Sequence, residues 1–431
     1  MELWQANLLR ALARFAPTVW KNLMVSRRGE HGSLLAVLEV KPPAAVAPTA
    51  PLRRPSRLPM SEAVLSVRQK FDDRPFIAIW ETTQACDLVC KHCRACAQAA
   101  RDRDELTTSE GKRLLDDLAD ARVPLVVLTG GDPAKRPDLL ELVRHAVGRG
   151  INLALTPSAT PLVTDELVRE LAAAGLSRLA ISIDGSTAEI HDAFRGVSGS
   201  FAEARRILET ARAVNLQTQV NTSIHAGNTG EIASIARLVE TLAARLWSVF
   251  YVVPTGRADV DMLPRAEQVE QTMNELAELA ELVPFAVKTT AAPHYRRVLA
   301  QRAKQRGASA EHGVYGRAAV RINDGRGFVF VSHRGDIFPS GFLPLPCGNV
   351  RRESVLDVYL KHPVFQQLRS TDQLKGKCGA CEYRNLCGGS RARAYALTGD
   401  YLESDELCAY VPPAYQEATQ LPRRHLTVSH G

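Results

Sequence analysis

The feature of this sequence that most limits its fold is a repeated alternation of short apolar runs with amphipathic helical stretches. Runs suited to buried strands fall at 76–80, 125–128, 151–155, 179–183, 217–223 and 247–253. Between them, apolar residues recur at helical spacing over 110–119, 138–147, 165–174, 201–214 and 232–243, the period of a helix that buries one face. Strands separated by helices must pair in parallel, because each crossover returns the chain to the same end of the sheet. The expected architecture is therefore α/β, with six strands in either a partial barrel or an open doubly wound sheet.

Beyond residue 253 the alternation fades. A helix is expected over 265–282, then a hairpin in which 327–333 turns at Arg334-Gly335-Asp336 into Ile337, then a cysteine-rich tail. The expected domains are a barrel over 60–260, connecting helices and hairpin over 261–336, and a small cysteine-rich domain with its tail over 337–431. Residues 1–59 stand apart in composition. Their first 24 residues suit a short amphipathic helix, and six prolines between Pro42 and Pro59 suit an extended linker. This segment is expected to be disordered and dispensable for chemistry, with Met60 as an alternative start.

Residues 1–59 hold nine Lys or Arg against three acids, so six of the seven surplus positive charges of the chain lie there. A basic tail on a nearly neutral remainder is a solvated or membrane-surface feature, and argues against a nucleic-acid footprint. The chain has no uninterrupted apolar run of about 18 residues, so no transmembrane segment is expected. The nine cysteines fall in two groups, Cys86 to Cys96 and Cys347 to Cys408. Their odd number and close spacing disfavour a disulfide framework, and point to metal-bound thiolates in a reducing, cytoplasmic setting.

Cys86-Asp-Leu-Val-Cys90-Lys-His-Cys93 follows the first expected strand. Three thiolates on one short loop can grip three irons of a cubane and leave the fourth open to an exchangeable ligand. A zinc loop is the alternative, with Cys96 or His92 as fourth ligand. Cys378, Cys381 and Cys387 stand on a second tight loop, with Cys408 twenty-one residues later. These four can close every corner of a cluster, or the tetrahedron of a zinc site. Polar groups end the other strands: Gly130-Gly131-Asp132, Thr156 and Ser158, Ser182 and Asp184, and Asn221. Barrel enzymes gather function at the C-terminal ends of strands, although each such residue alone also suits a turn or a helix cap.

The first triplet resembles the signature loop of the radical S-adenosylmethionine (SAM) superfamily. The resemblance implies a partial (β/α)6 TIM-like barrel with a catalytic 4Fe–4S cluster on Cys86, Cys90 and Cys93, SAM on the open iron, and His92 beside the adenine. Gly130-Gly131-Asp132 is similar to the Gly-Gly-Glu motif that holds the methionine amino group, with a shorter acid. Thr156, Ser158, Ser182, Asp184 and Asn221 match where relatives contact ribose and methionine, and Arg195 would pair with the methionine carboxylate. The second group resembles the outer cluster site of the SPASM/twitch extension, implying an auxiliary 4Fe–4S cluster on Cys378, Cys381, Cys387 and Cys408. An inner auxiliary cluster is not expected, because Ser340 and Arg391 stand where that site often has cysteines and Cys347 is alone.

Residues 387–401, with Pro254-Thr-Gly-Arg257, are similar to radical SAM enzymes that trim tetrapyrrole side chains in alternative heme synthesis. SPASM peptide maturases share parts of this pattern. The resemblance implies a one-electron donor such as ferredoxin or flavodoxin, and a tetrapyrrole or a peptide as substrate. The cations between Lys288 and Arg297 suit a carboxylate-rich tetrapyrrole, or equally a solvated helix start. A non-catalytic iron–sulfur electron carrier is the remaining alternative.

Overall fold

The computed structural model describes residues 71–307 and 321–420. The N-terminal segment 1–59 with its proline linker, Met60 and the end of the tail lie outside the described residues. The chain runs β1 (Ile77–Glu81), α1 (Thr108–Asp120), β2 (Leu125–Thr129), α2 (Leu139–Gly148), β3 (Leu153–Leu155), α3 (Asp165–Ala173) and β4 (Arg178–Ser182). Then come α4 (Ala188–Arg195), α5 (Ser200–Ala213), β5 (Thr218–Ile224), α6 (Ile232–Thr241), β6 (Leu246–Tyr251), α7 (Ala266–Leu282), β7 (Ala286–Thr290) and α8 (His294–Gln305). The remainder forms β8 (Phe328–Val331), β9 (Asp336–Phe338), β10 (Gly348–Asn349), α9 (Val355–Lys361), α10 (Pro363–Arg369), α11 (Gly376–Ala380) and α12 (Arg391–Thr398).

β1 to β7 lie side by side in sequence order, every neighbouring pair parallel. The chain is thus α/β with a mostly parallel sheet, as its periodicity predicts. Residues of β1 up to Trp80 and of β2 alternate between buried and half-buried, β3 is wholly buried, and Trp80, Leu128 and Trp247 have no accessible surface. Caps end the helices where the sequence calls for them: Thr107 and Glu110 form a reciprocal capping box on α1, and Thr164 caps α3.

Two features depart from the sequence reading. The alternation continues one step past residue 253, because α7 leads into a seventh parallel strand, β7. Its sequence, Ala-Val-Lys-Thr-Thr, is only partly buried and lacks an apolar run; pairing with β6 at the sheet edge makes it a strand. The β8–β9 hairpin forms at the expected turn, but β8 pairs in parallel with β1. Barrel and cysteine-rich region therefore share one ten-stranded sheet, with β7 and β10 as its edges.

Candidate functional site

The C-terminal ends of β1 to β6 and of β8 meet on one rim, and the first cysteine loop rises from β1 there. Its neck closes where Cys86 donates its N–H to the Gln98 carbonyl (2.7 Å) and Gln84 Nε2 donates to the Ala95 carbonyl (2.7 Å). Glu81, buried at the end of β1, pins the loop from below. It pairs with Arg94 and stands 2.7 Å from His333 Nδ1, beyond β8. Burial works to raise the Glu81 pKa, but Arg94 and His333 outweigh it and hold the carboxyl below its ordinary range.

Cys86 and Cys90 are buried, Cys93 is half-buried and Cys96 is exposed. The Leu88 and Ala97 N–H groups donate to Cys86 Sγ (3.3 Å) and Cys93 Sγ (3.4 Å), and Arg195 Nη1 reaches Cys90 Sγ (3.7 Å). Burial pushes the Cys86 and Cys90 thiols up. Thiols so enclosed, yet surrounded by N–H donors and a guanidinium, fit the thiolates of a cluster.

Beside them opens a cleft. Gly130, Gly131, Thr156, Ser158, Ser182 and Arg195 line it, together with Leu88 and His191. Both glycines are required, though for a reason the sequence does not reveal. A Cβ on Gly130 would stand 2.6 Å from the Thr83 carbonyl, and one on Gly131 2.4 Å from that of Ala85. The close approach is to the chain that carries Cys86, and Gly131 N donates to Thr83 O (2.7 Å).

Asp132, Asp184, Asn221 and His92 are not among the residues that line the cleft. Asp132 is fully buried and its carboxylate accepts from Ala134 N (3.1 Å), Ser158 N (3.3 Å) and Thr160 Oγ1 (2.7 Å). Asp184 holds Arg195 Nε at 2.6 Å and accepts from Ser223 N (2.7 Å). Burial opposes its ionisation, but Arg195 keeps the carboxyl below its ordinary range. Asn221 Oδ1 accepts from Gln219 on the same strand (2.7 Å). His92 stacks on Phe194 (centroids 4.2 Å apart), whose other face stacks on His225 (4.1 Å). Burial, then the Arg195 charge, lowers the His92 pKa to about 3, so the ring is neutral.

His191 lies four residues before Arg195 on the same helix. Its Nδ1 accepts from Asp184 N (3.0 Å), which leaves the proton on an Nε2 that has no partner. No spacing rule exposes that role, since it depends on how α4 folds back over β4.

The second group of thiols is equally gathered. Cys381 and Cys387 each lie near enough to Cys378 and Cys408 to feel their charge, and Cys408 feels that of Cys378. Burial raises the thiols of Cys381, Cys387 and Cys408, and carries Cys381 to about 11. Arg391 Nη2 approaches Cys378 Sγ (3.4 Å), and Gly389 N donates to Cys387 Sγ (3.4 Å). Arg391 also reaches the Tyr401 and Glu403 carbonyls, so a guanidinium occupies the place of a further cysteine. Ser340 and Cys347 are buried and bonded to their own loop. Among the described residues no three His, Cys, Asp or Glu side chains close around a single ion. Thiols with N–H groups beside them are the donors that an iron–sulfur cluster takes. Both donor sets fit a cluster.

Most of the cations between Lys288 and Arg297 are engaged within the chain. His294 lies 2.8 Å from Asp405, Arg297 pairs with Glu270, and Arg296 donates to the Leu386 and Ile322 carbonyls. The start of α8 is buried rather than solvated. No helix of the described residues is long and apolar enough to cross a membrane.

A cysteine triplet at the rim of a parallel α/β sheet, beside a cleft walled by glycines and hydroxyls, is the arrangement that the radical SAM resemblance calls for. Residues 80–240 match the model of the radical SAM superfamily, and the chain belongs to that superfamily. It is 40% identical to the AdoMet-dependent heme synthase of Oleidesulfovibrio alaskensis over 337 residues, 77% of this chain and 87% of that one. It is 30% identical to the PqqA peptide cyclase of Bradyrhizobium diazoefficiens over 349 residues, 78% of this chain and 87% of that one. Streptococcus suis SuiB bound to S-adenosylmethionine shares the fold at a TM-score of 0.63 and 16% identity, over 78% of each chain. The protein is therefore a radical SAM enzyme that uses SAM and a 4Fe–4S cluster, and the electron-carrier alternative gives way.

Proposed function

We propose that this enzyme converts propionate side chains of an iron porphyrin to vinyl groups, as a heme synthase. The observation that carries the reading is the 40% identity to an AdoMet-dependent heme synthase over 337 residues, against 30% to a peptide cyclase. Cys86, Cys90 and Cys93 would hold the catalytic cluster, and Cys378, Cys381, Cys387 and Cys408 a second 4Fe–4S cluster. Gly130, Gly131, Thr156, Ser158, Ser182 and Arg195 would hold SAM, with Asp132, Asp184, Asn221 and His92 setting their positions from behind.

When bound, cluster and SAM supply a 5′-deoxyadenosyl radical able to take a hydrogen atom from an unactivated carbon. The chain supplies position and exclusion of water. Ser158 holds its hydroxyl 3.2 Å from Cys86 Sγ and donates to the Gly131 carbonyl at 2.7 Å, fixing cysteine loop and glycine turn together. Arg195 brings a positive charge to Cys90, steadied by Asp184. Loss of a hydrogen atom, CO2 and one electron turns a propionate into a vinyl group, and uptake of that electron is the chemistry a cluster on the four-cysteine site would supply. A ferredoxin or flavodoxin in a reducing cytoplasm would deliver the initiating electron.

The test is anaerobic incubation of cluster-loaded protein with SAM, a reductant, and iron-coproporphyrin III or a precursor peptide. Mass spectrometry should show the porphyrin losing CO2 and a pair of hydrogens per side chain, with 5′-deoxyadenosine formed. An unchanged porphyrin beside accumulating 5′-deoxyadenosine would overturn the reading, and a modified peptide would replace it.

A further inference from the structure

The Pro254-Thr-Gly-Arg257 turn that leaves β6 folds directly onto the cysteine loop. Arg257 donates its backbone N–H to the Cys93 carbonyl (3.0 Å). Gly256 has φ +66°, and a Cβ there would stand 2.4 Å from the carbonyl oxygens of both Cys93 and Arg94. Only glycine lets the turn come so close. A half-buried arginine is thereby carried to the rim beside the third cysteine.

Its guanidinium is incompletely satisfied. Nε and Nη2 of Arg257 are enclosed and have no hydrogen-bond partner. Two buried carboxylates of this rim are already engaged, Asp184 by Arg195 and Glu81 by Arg94 and His333. The two empty nitrogens share one edge of the guanidinium, whose parallel N–H bonds match the two oxygens of a carboxylate. A buried charged donor left empty forfeits its hydration with nothing in return, unless a ligand completes it. His92 Nδ1 and His225 Nε2, on the rings that sandwich Phe194, also lack partners. The methionine carboxylate of SAM is a poor match for the empty edge, because the guanidinium that lines the glycine-walled cleft is that of Arg195.

We infer that Arg257 is a carboxylate anchor of the substrate site, gripping one carboxylate of the substrate through Nε and Nη2 and so fixing it beside the catalytic cysteines. The identity of that carboxylate, a porphyrin propionate, rests on the heme-synthase reading.

The test measures dissociation constants of iron-coproporphyrin III, its tetramethyl ester and SAM on full-length, cluster-loaded enzyme. Wild-type protein should prefer the free acid to the ester. Arg257→Gln should weaken binding of the acid about tenfold or more, the scale of a lost charge-assisted fork, and erase most of that preference. Iron content and SAM affinity should stay at wild-type values. Arg257→Lys keeps the charge without the planar fork and should recover only part of the affinity; it also supplies the measurement should Arg257→Gln fail to hold iron. Acid binding that survives both substitutions overturns the inference alone, as does a loss confined to SAM. Wild-type protein that binds neither porphyrin overturns the heme-synthase reading, and the inference with it.

Discussion

Asp132 shows how a site residue can be found for one reason and placed for another. Its position after two glycines suggests a carboxylate reaching toward an ammonium. In the fold both its oxygens already accept from the chain, and burial pushes its pKa up. Its effect on the cleft passes through Ser158, whose N–H it holds and whose hydroxyl meets Cys86 Sγ. Asp132→Ala strands those donors, which costs about 1–3 kcal/mol for a buried group. The melting temperature should therefore fall together with SAM affinity, while the cluster absorbance persists. A loss of SAM affinity at an unchanged melting temperature would instead mean that the carboxylate touches the ligand.

At the scale of elements, the decisive contact joins α8, α12 and the loop before Cys408. Asp405 is fully buried and takes Arg393 through two bonds (2.9 and 2.8 Å), with the Ser390 N–H at 2.7 Å and His294 Nε2 at 2.8 Å. Burial opposes its charge, but Arg393 and His294 hold the carboxyl well below its ordinary range. Stability from this group is present above the ordinary carboxylate pKa of about 3.9 and is lost as pH falls further. His294 is shifted down as well, by burial first and by nearby Arg393 and Arg297 against the pull of Asp405. Its contribution is complete above its unfolded pKa of about 6.5 and fades as pH falls below that value. The melting temperature should decline from about pH 6.5 downward, and His294→Gln should flatten part of that first limb, other parts of it belonging to His92 and His191, which burial also shifts down. Asp405→Asn leaves Arg393 buried without its counter-charge, a change that costs about 3–5 kcal/mol, and should release iron from the four-cysteine site. Retained iron and an unshifted melting curve would show that this contact holds nothing together.

For the whole molecule the sharpest measure is iron. Protein reconstituted without oxygen should hold about eight irons, two 4Fe–4S clusters. Replacing Cys86, Cys90 and Cys93 together by Ala should leave about four, those of the second site. Stoichiometric zinc without iron would sink the cluster assignment. The shared sheet adds a constraint to this experiment. Because β8 hydrogen-bonds to β1, the cysteine-rich region is continuous with the strand that launches the first cysteine loop. Cutting the chain between barrel and hairpin should therefore destabilise both.

The sequence by itself determined the alternating elements from β1 to β6, since buried parallel strands and one-faced helices write their periods directly into residue order. It also placed Cys86 with Cys90 and Cys93, and Cys378 with Cys381 and Cys387, because residues on one short loop are neighbours whatever the rest of the chain does. Cys408 comes near the second set only through the fold. Tertiary structure decided the remainder. β7 has no apolar run and exists through its pairing with β6. The union of β8 with β1 joins residues some 250 positions apart, a pairing that no local pattern encodes. The cations of 288–297 look available in sequence, yet most of them turn inward once Asp405 and Glu270 arrive from distant segments. Arg257 becomes notable only when its turn lies on the Cys93 carbonyl with one edge of its guanidinium empty. Residue order sets which groups are adjacent along the chain, whereas burial and partnership arise between segments that only the fold brings together.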